Sequence, residues 1–194
     1  MRELAVYFLI FIFYSVIGWI MEVINAKIRS KHFINRGFLF GPWYPIYGLG
    51  GVFITLLTPN NPILIFIISF VICAIIEYLT SYFLERLFHA RWWDYTSDKI
   101  NIQGRICLRN LILFGICGLV VKLIISPMYF SIIRNISNKS IYIITIILII
   151  IYLIDTIVSI KIITQITKNK HFPKVDNTNE IRNNIKNYIG KLPN

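Results

Sequence analysis

The chain has 194 residues, 56% of them hydrophobic and 15% charged, with a net charge of +11. A soluble domain of this length carries more charge, and several apolar runs reach the roughly 20 residues that span a bilayer, which excludes an ordinary soluble globule. The basic residues flank apolar segments, so the positive-inside bias of membrane proteins explains them better than a nucleic-acid surface does, and no nucleic-acid partner is expected.

The first predicted span runs from about Leu4 to Asn25. It is too long for a cleaved signal peptide, Glu22 interrupts its end, and no small-residue cleavage site follows. Next comes "NRGFLFGPWYPIYGLGG", Asn35 to Gly51, with an arginine, two prolines and five glycines. Pro42 and Pro45 donate no backbone hydrogen bond, and the glycines weaken a helix further. Irregular backbone survives at membrane depth only where protein covers it or it lines water. The second span, about Pro42 to Leu57, is therefore predicted to be a broken or re-entrant helix, regular only from about Pro45 or Ile46. Amides at that start can receive an anion, with Arg36 close by. The competing reading is a tight loop that lets helices pack closely.

The uncharged link "TPNNP" leads to a third span, Ile63 to Glu85. The stretch "RWWDYTSDKINIQGR", Arg91 to Arg105, follows. Its Trp92, Trp93 and Tyr95 suit a headgroup layer. Asp94 can pair with Arg91 or Arg105 or cap a turn, and Asn101, Gln103 and Gly104 form a turn signal. The stretch reads either as an interfacial loop or as the lip of a site. The fourth span is predicted from Ile106 to Ser126, ending before Pro127, and the fifth from Ile141 to Ile163. In the tail, Ile181, Ile185, Tyr188 and Leu192 recur at helical spacing, and Asn177 with Glu180 suggests a capping box. This amphipathic helix is expected on the inner leaflet or on a partner, unless the tail is simply solvated.

The fold expected is all-α: a polytopic membrane bundle of about five transmembrane helices in the cell membrane, residues 1–165, followed by a polar cytoplasmic tail, residues 166–194. Lys27, Arg29, Lys31, Arg36, Arg86, Arg91, Lys99, Arg105, Arg109 and the basic tail fall on one side, which the charge rule assigns to the cytoplasm. The N-terminus is then outside and the C-terminus inside.

Polar residues inside lipid are costly and face the bundle interior. In the third span Ser69, Cys73, Glu77, Ser81 and Glu85 step by four along one face. Ser15, Gly18, Glu22 and Asn25 share a face of the first span, Gly115, Gly118 and Lys122 one of the fourth, and Thr145, Tyr152, Asp155 and Ser159 one of the fifth. For the glycines and serines, close helix packing is the simpler explanation. Glu22, Glu77 and Asp155 must be paired, protonated or wet, with Arg36, Arg105 and Arg109 as candidate partners. They belong either to a structural ion-pair network or to a polar cavity open toward the cytoplasm. Lys122 is expected to snorkel outward or to line the outer end of a cavity. Cys73, Cys107 and Cys117 are odd in number, and neither they nor His32, His89 and His171 show metal-ligand spacing, so no disulfide, metal or cofactor is expected.

Asn35-Arg36-Gly37-Phe38-Leu39, Gly41-Pro42 and Pro45-Ile46-Tyr47-Gly48, together with Trp92-Trp93-Asp94-Tyr95, Asn101 and Gly104-Arg105, resemble a bacterial family of small multi-span proteins. "YSVIGWIMEV" (Tyr14 to Val23) and "EYLTSYFLERLF" (Glu77 to Phe88) add to the likeness, which covers about Phe11 to Pro127. The family is the ABC-transporter type IV membrane proteins, or ABC transporter permeases. The resemblance implies a membrane subunit working with a separate ATPase. The only Gly-Lys pair, Gly190-Lys191, lacks the rest of a P-loop, so this chain is not expected to be an enzyme. The expected role is a permease-like component, in need of an oligomer given its size, whose site comprises Glu22, Asn35, Arg36, Glu77, Asp94, Asn101 and Arg105. The alternatives are an accessory or regulatory membrane subunit and an enzyme acting on lipid headgroups.

Overall fold

The computed structural model describes residues 1–31, 37–168 and 172–189. Its elements are α1 (Arg2–Ser30), α2 (Pro45–Thr55), α3 (Pro62–Phe88), a hairpin of β1 (Asn101–Ile102) and β2 (Ile106–Cys107), α4 (Leu108–Val120), a π turn (Val121–Ile125), α5 (Ser126–Arg134), α6 (Asn138–Thr167) and α7 (Thr178–Ile189). Among them, α1, α3, the continuous run Leu108–Arg134 and α6 are long and apolar enough to cross a membrane. Their outward faces are apolar: Ile143, Ile146, Ile150, Ile154 and Ile157 of α6 are all exposed, as they would be against lipid.

The second predicted span is the irregular one. Its helix begins at Pro45, in the first turn, where the missing N–H has no helical partner to lose. With 11 residues, α2 is about 16 Å long and covers about half of a hydrocarbon core. Residues 37–44 lead into it without helical structure. This segment lies against the middle of α1, where the Tyr44 amide donates to the Ser15 carbonyl at 3.0 Å.

Side chains from three distant helices supply the hydrogen bonds that a helix would otherwise make for itself. Asp155 of α6 accepts from the Phe40 amide at 3.0 Å and the Gly41 amide at 2.9 Å. Arg182 of α7 donates to the Gly37 carbonyl and, at 2.9 Å, to the Leu39 carbonyl. At the far end of α2, Lys122 donates to the Thr55 carbonyl at 3.1 Å and to the Leu57 carbonyl. The ammonium thus caps a helix C-terminus, where a cation is favoured.

The fourth apolar run does not stop before Pro127, as its sequence suggests. It continues to Arg134, because the π turn just upstream accommodates a proline that cannot donate. The amphipathic helix in the tail is present as α7, and its apolar face turns to its own chain. Ile181 and Ile185 pack with Phe88, Trp92, Ile163 and Phe172. Thr178 Oγ1 donates to the Trp92 carbonyl at 2.6 Å, and the Asn177 amide to the Arg91 carbonyl at 2.9 Å.

Small residues set the closest helix contacts. A Cβ on Gly48 would meet the Phe11 carbonyl of α1 at 2.6 Å, whereas one on Gly50 would meet only Cys73 Sγ, at 3.6 Å. Gly48→Ala is therefore expected to cost about 1–3 kcal/mol by overpacking and to lower the unfolding temperature in detergent, while Gly50→Ala leaves it unchanged. Asp155→Ala orphans two amides, at about 1–3 kcal/mol each, and amide exchange at Phe40 and Gly41 should accelerate relative to the core of α3.

Candidate functional site

A cavity of about 420 Å³ opens between α1, α2, α3 and α4, at the end of the bundle where α1 and α3 finish and α4 begins. From α1 come Met21, Glu22 and Asn25, and from the α2 region Tyr44, Ile46 and Tyr47. Glu77 projects from α3, Trp93 and Tyr95 from the following loop, and Arg109, Asn110 and Phe114 from α4. The polar stripes of α1 and α3 thus face one another across a shared space.

Each carboxylate in it is held by one tyrosine. Tyr47 Oη donates to Glu22 Oε1 at 2.8 Å, and Tyr95 Oη donates to Glu77 Oε1 at 3.1 Å. Glu77 is 4% exposed, and its Oε2 has no hydrogen-bond partner among the described residues. Burial first, and then the charges of Glu77 and Glu22, push the Tyr95 hydroxyl above its usual range, so it remains a donor at ordinary pH. Arg109, on the exposed rim, pairs with Asp98 at 3.5 Å.

The loop that delivers Tyr95 is built on a four-charge cluster whose two guanidinium groups are buried. Glu85 Oε2 accepts from Arg91 Nε at 2.8 Å and from Arg105 at 2.8 Å. Arg91 also reaches Asp94 at 3.2 Å and the Gln103 carbonyl at 3.2 Å. Arg105 donates to Ser81 Oγ at 3.2 Å and lies over the rings of Tyr78 and Tyr82. Asn101 shapes the turn: it donates to the Asp98 carbonyl at 2.7 Å and accepts from the Gly104 amide at 2.9 Å. Gln103 and Gly104 both take positive φ in that turn. A Cβ on Gly104 would approach the Asp94 carboxylate, so this tight corner needs glycine.

Of the residues assigned to a site from sequence, Glu22 and Glu77 line the cavity. Asp94, Asn101 and Arg105 lie beside it and hold the loop; Arg105 engages Glu85 rather than Glu22 or Glu77. Asn35 and Arg36 fall outside the described residues. Asp155, grouped with these carboxylates in the sequence, is bound by backbone amides and Ser159. Lys122 is directed to carbonyls at the end of α2. Tyr44, Tyr47 and Asn110 also line the cavity, although their positions in the sequence do not single them out as site residues. The tyrosines flank Pro45 three residues apart, a spacing that places both on one side of a starting helix. No triad of metal-ligating residues occurs among the described residues.

Four long apolar helices, a half-length helix reached through irregular backbone, and carboxylates facing an internal cavity define a helical membrane protein. The family model described as "Putative ABC-transporter type IV" matches residues 9–160, well over half of the chain, and the chain belongs to that family. Comparison with curated proteins and with solved structures gives no match.

The geometry separates a carboxylate that supports the fold from those that face the cavity. Glu85→Ala strips two buried guanidinium groups of a shared partner and should cost about 3 kcal/mol or more. Glu22→Gln keeps an acceptor for Tyr47 and should cost less than about 1 kcal/mol. Thermal unfolding of both variants in one detergent checks the difference.

Proposed function

We propose that the chain is a permease-like membrane component of an ABC-type transport system in the cell membrane, with its polar cavity open to the cytoplasm. The observation that carries this reading is the convergence of Glu22 and Glu77, from separate helices, on one cavity beside the end of a discontinuous helix. Discontinuous helices of this kind mark substrate sites in many transporters. The positive-inside rule favours the cytoplasmic side for the open end, because Arg109 lines its rim and Arg91 and Arg105 lie in the loop beside it. Family membership supports the transport role. ATP hydrolysis would belong to a separate subunit, and a complete pathway to an oligomer of this small chain.

Two measurements test the reading. In a variant with its native cysteines changed to serine, Asn110→Cys is expected to react with a membrane-impermeant thiol reagent about tenfold faster from the cytoplasmic side. Equal reaction from both sides, or none, contradicts a cytoplasm-facing cavity. Purification in mild detergent should recover a P-loop ATPase in near-stoichiometric amount. Recovery of a different membrane protein in its place would point to an accessory subunit.

A further inference from the structure

The polar cavity continues into an apolar one of about 290 Å³, and the two share Met21, Ile46, Tyr47, Glu77, Phe114 and Cys117. Polarity is ordered the same way on each wall. Along α1 the lining passes from Tyr14 and Ile17 to Glu22 and Asn25; along α4 it passes from Val120 and Cys117 to Asn110 and Arg109. On α2, Gly50 and Ile54 lie at the apolar end, with Tyr44 and Tyr47 at the polar end. From Arg109 to Ile125 the groove follows 16 residue steps of helix, about 24 Å at a rise of 1.5 Å, and along α1 somewhat less. One leaflet of a bilayer, headgroups included, is about 20 Å thick.

The groove is also accessible from the side. α1 packs along α2 and α4 along α3, so α1 and α4 face each other across the groove. At the apolar end the groove is closed by α5, which continues the α4 run and meets α1: Tyr14 Oη meets Ser126 Oγ at 3.2 Å, Phe13 meets Tyr129 at 5.3 Å, and Arg2 donates to the Ile133 carbonyl at 3.2 Å. Toward the polar end Met21 and Cys117 are exposed.

The charges of the described lining residues are unbalanced. Glu22 and Glu77 line the polar end, and the one cation among its described lining residues, Arg109, sits on the rim with Asp98. Glu77 Oε2 is buried without a partner among the described residues, and an uncompensated carboxylate in an apolar surround is costly. Tyr44, Tyr47, Trp93 and Tyr95 line the same cavity as the two acids, and an acidic site with aromatic walls favours an ammonium group.

We infer that this groove binds a membrane phospholipid with an ammonium headgroup, taken from the leaflet at the basic end of the bundle. The ammonium lies between Glu22 and Glu77 among the tyrosines, the phosphate meets Arg109 at the rim, and an acyl chain runs over Gly50 toward Ile54 and Ile125. This rests on the transport reading above and names the substrate class of the same site.

The test is lipid retention. The purified full chain, stripped with detergent, is offered an equimolar mixture of phosphatidylethanolamine and phosphatidylglycerol with identical acyl chains, and bound lipid is measured by mass spectrometry. Wild type should be enriched in phosphatidylethanolamine by about tenfold, a modest difference in affinity. Glu22→Gln with Glu77→Gln should return the ratio to that of the mixture. Gly50→Phe, at a position that lines the apolar cavity and where an added Cβ meets only Cys73 Sγ at 3.6 Å, should lower total bound lipid with the preference intact. Arg109→Gln, on the exposed rim and least able to unfold the chain, should reduce both lipids while keeping the preference. No enrichment in wild type, or enrichment unaltered in the glutamine variant, overturns the inference. Selective retention without an ATPase partner would sink the transport reading but leave the lipid site standing. An ATPase partner whose coupled transport is lost in Glu77→Gln, without any lipid selectivity, would do the reverse.

Discussion

The arrangement depends on satisfying the backbone between Gly37 and Tyr44. Amides and carbonyls that leave helical geometry inside an apolar surround must find partners elsewhere, because lipid offers none. Asp155 takes two of the amides, Arg182 takes two of the carbonyls, and Ser15 takes the amide of Tyr44. With these bonds in place, α2 can start beside the middle of α1, so that Tyr47 reaches Glu22 and the Gly48 backbone lies against α1. The cavity exists because the helix that would have filled it begins half-way along.

Two kinds of charge result, and they behave differently. Glu85, Arg91, Asp94 and Arg105 neutralise one another and fix the loop, giving Tyr95 a rigid base from which to reach Glu77. Glu22 and Glu77 each keep one oxygen on a tyrosine, and Glu77 has a second oxygen without a partner among the described residues. The first group is what a buried ion network needs to be stable, whereas the second leaves a carboxylate oxygen facing the cavity with no partner among the described residues.

Features set by local chemistry were legible in the sequence. Proline and glycine density put the start of the broken helix near Pro45 or Ile46, and it falls at Pro45; the four-residue stepping of α3 found the face on which Ser69, Glu77 and Ser81 are buried. What depended on partners distant in the chain was not legible. Nothing near Arg105 shows that it pairs with Glu85 rather than Glu77, and nothing near Asp155 shows that backbone amides would occupy it. The spacing of Ile181 and Ile185 revealed a helix, but the same face suits a leaflet or a protein groove equally well, and only the packing with Phe88 and Trp92 decides. Pro127 misled because the π turn that tolerates it has no sequence mark of its own.

The clamp on residues 37–41 also orders events during synthesis. A ribosome delivers this stretch to the membrane long before it makes Asp155, and longer still before Arg182. Until those side chains emerge, the early backbone has none of the acceptors and donors that the finished protein gives it. This irregular stretch therefore completes its hydrogen bonds only after the later helices have been made, although it is among the first parts to be translated, and a chain interrupted before α7 leaves its carbonyls to the insertion machinery or to water.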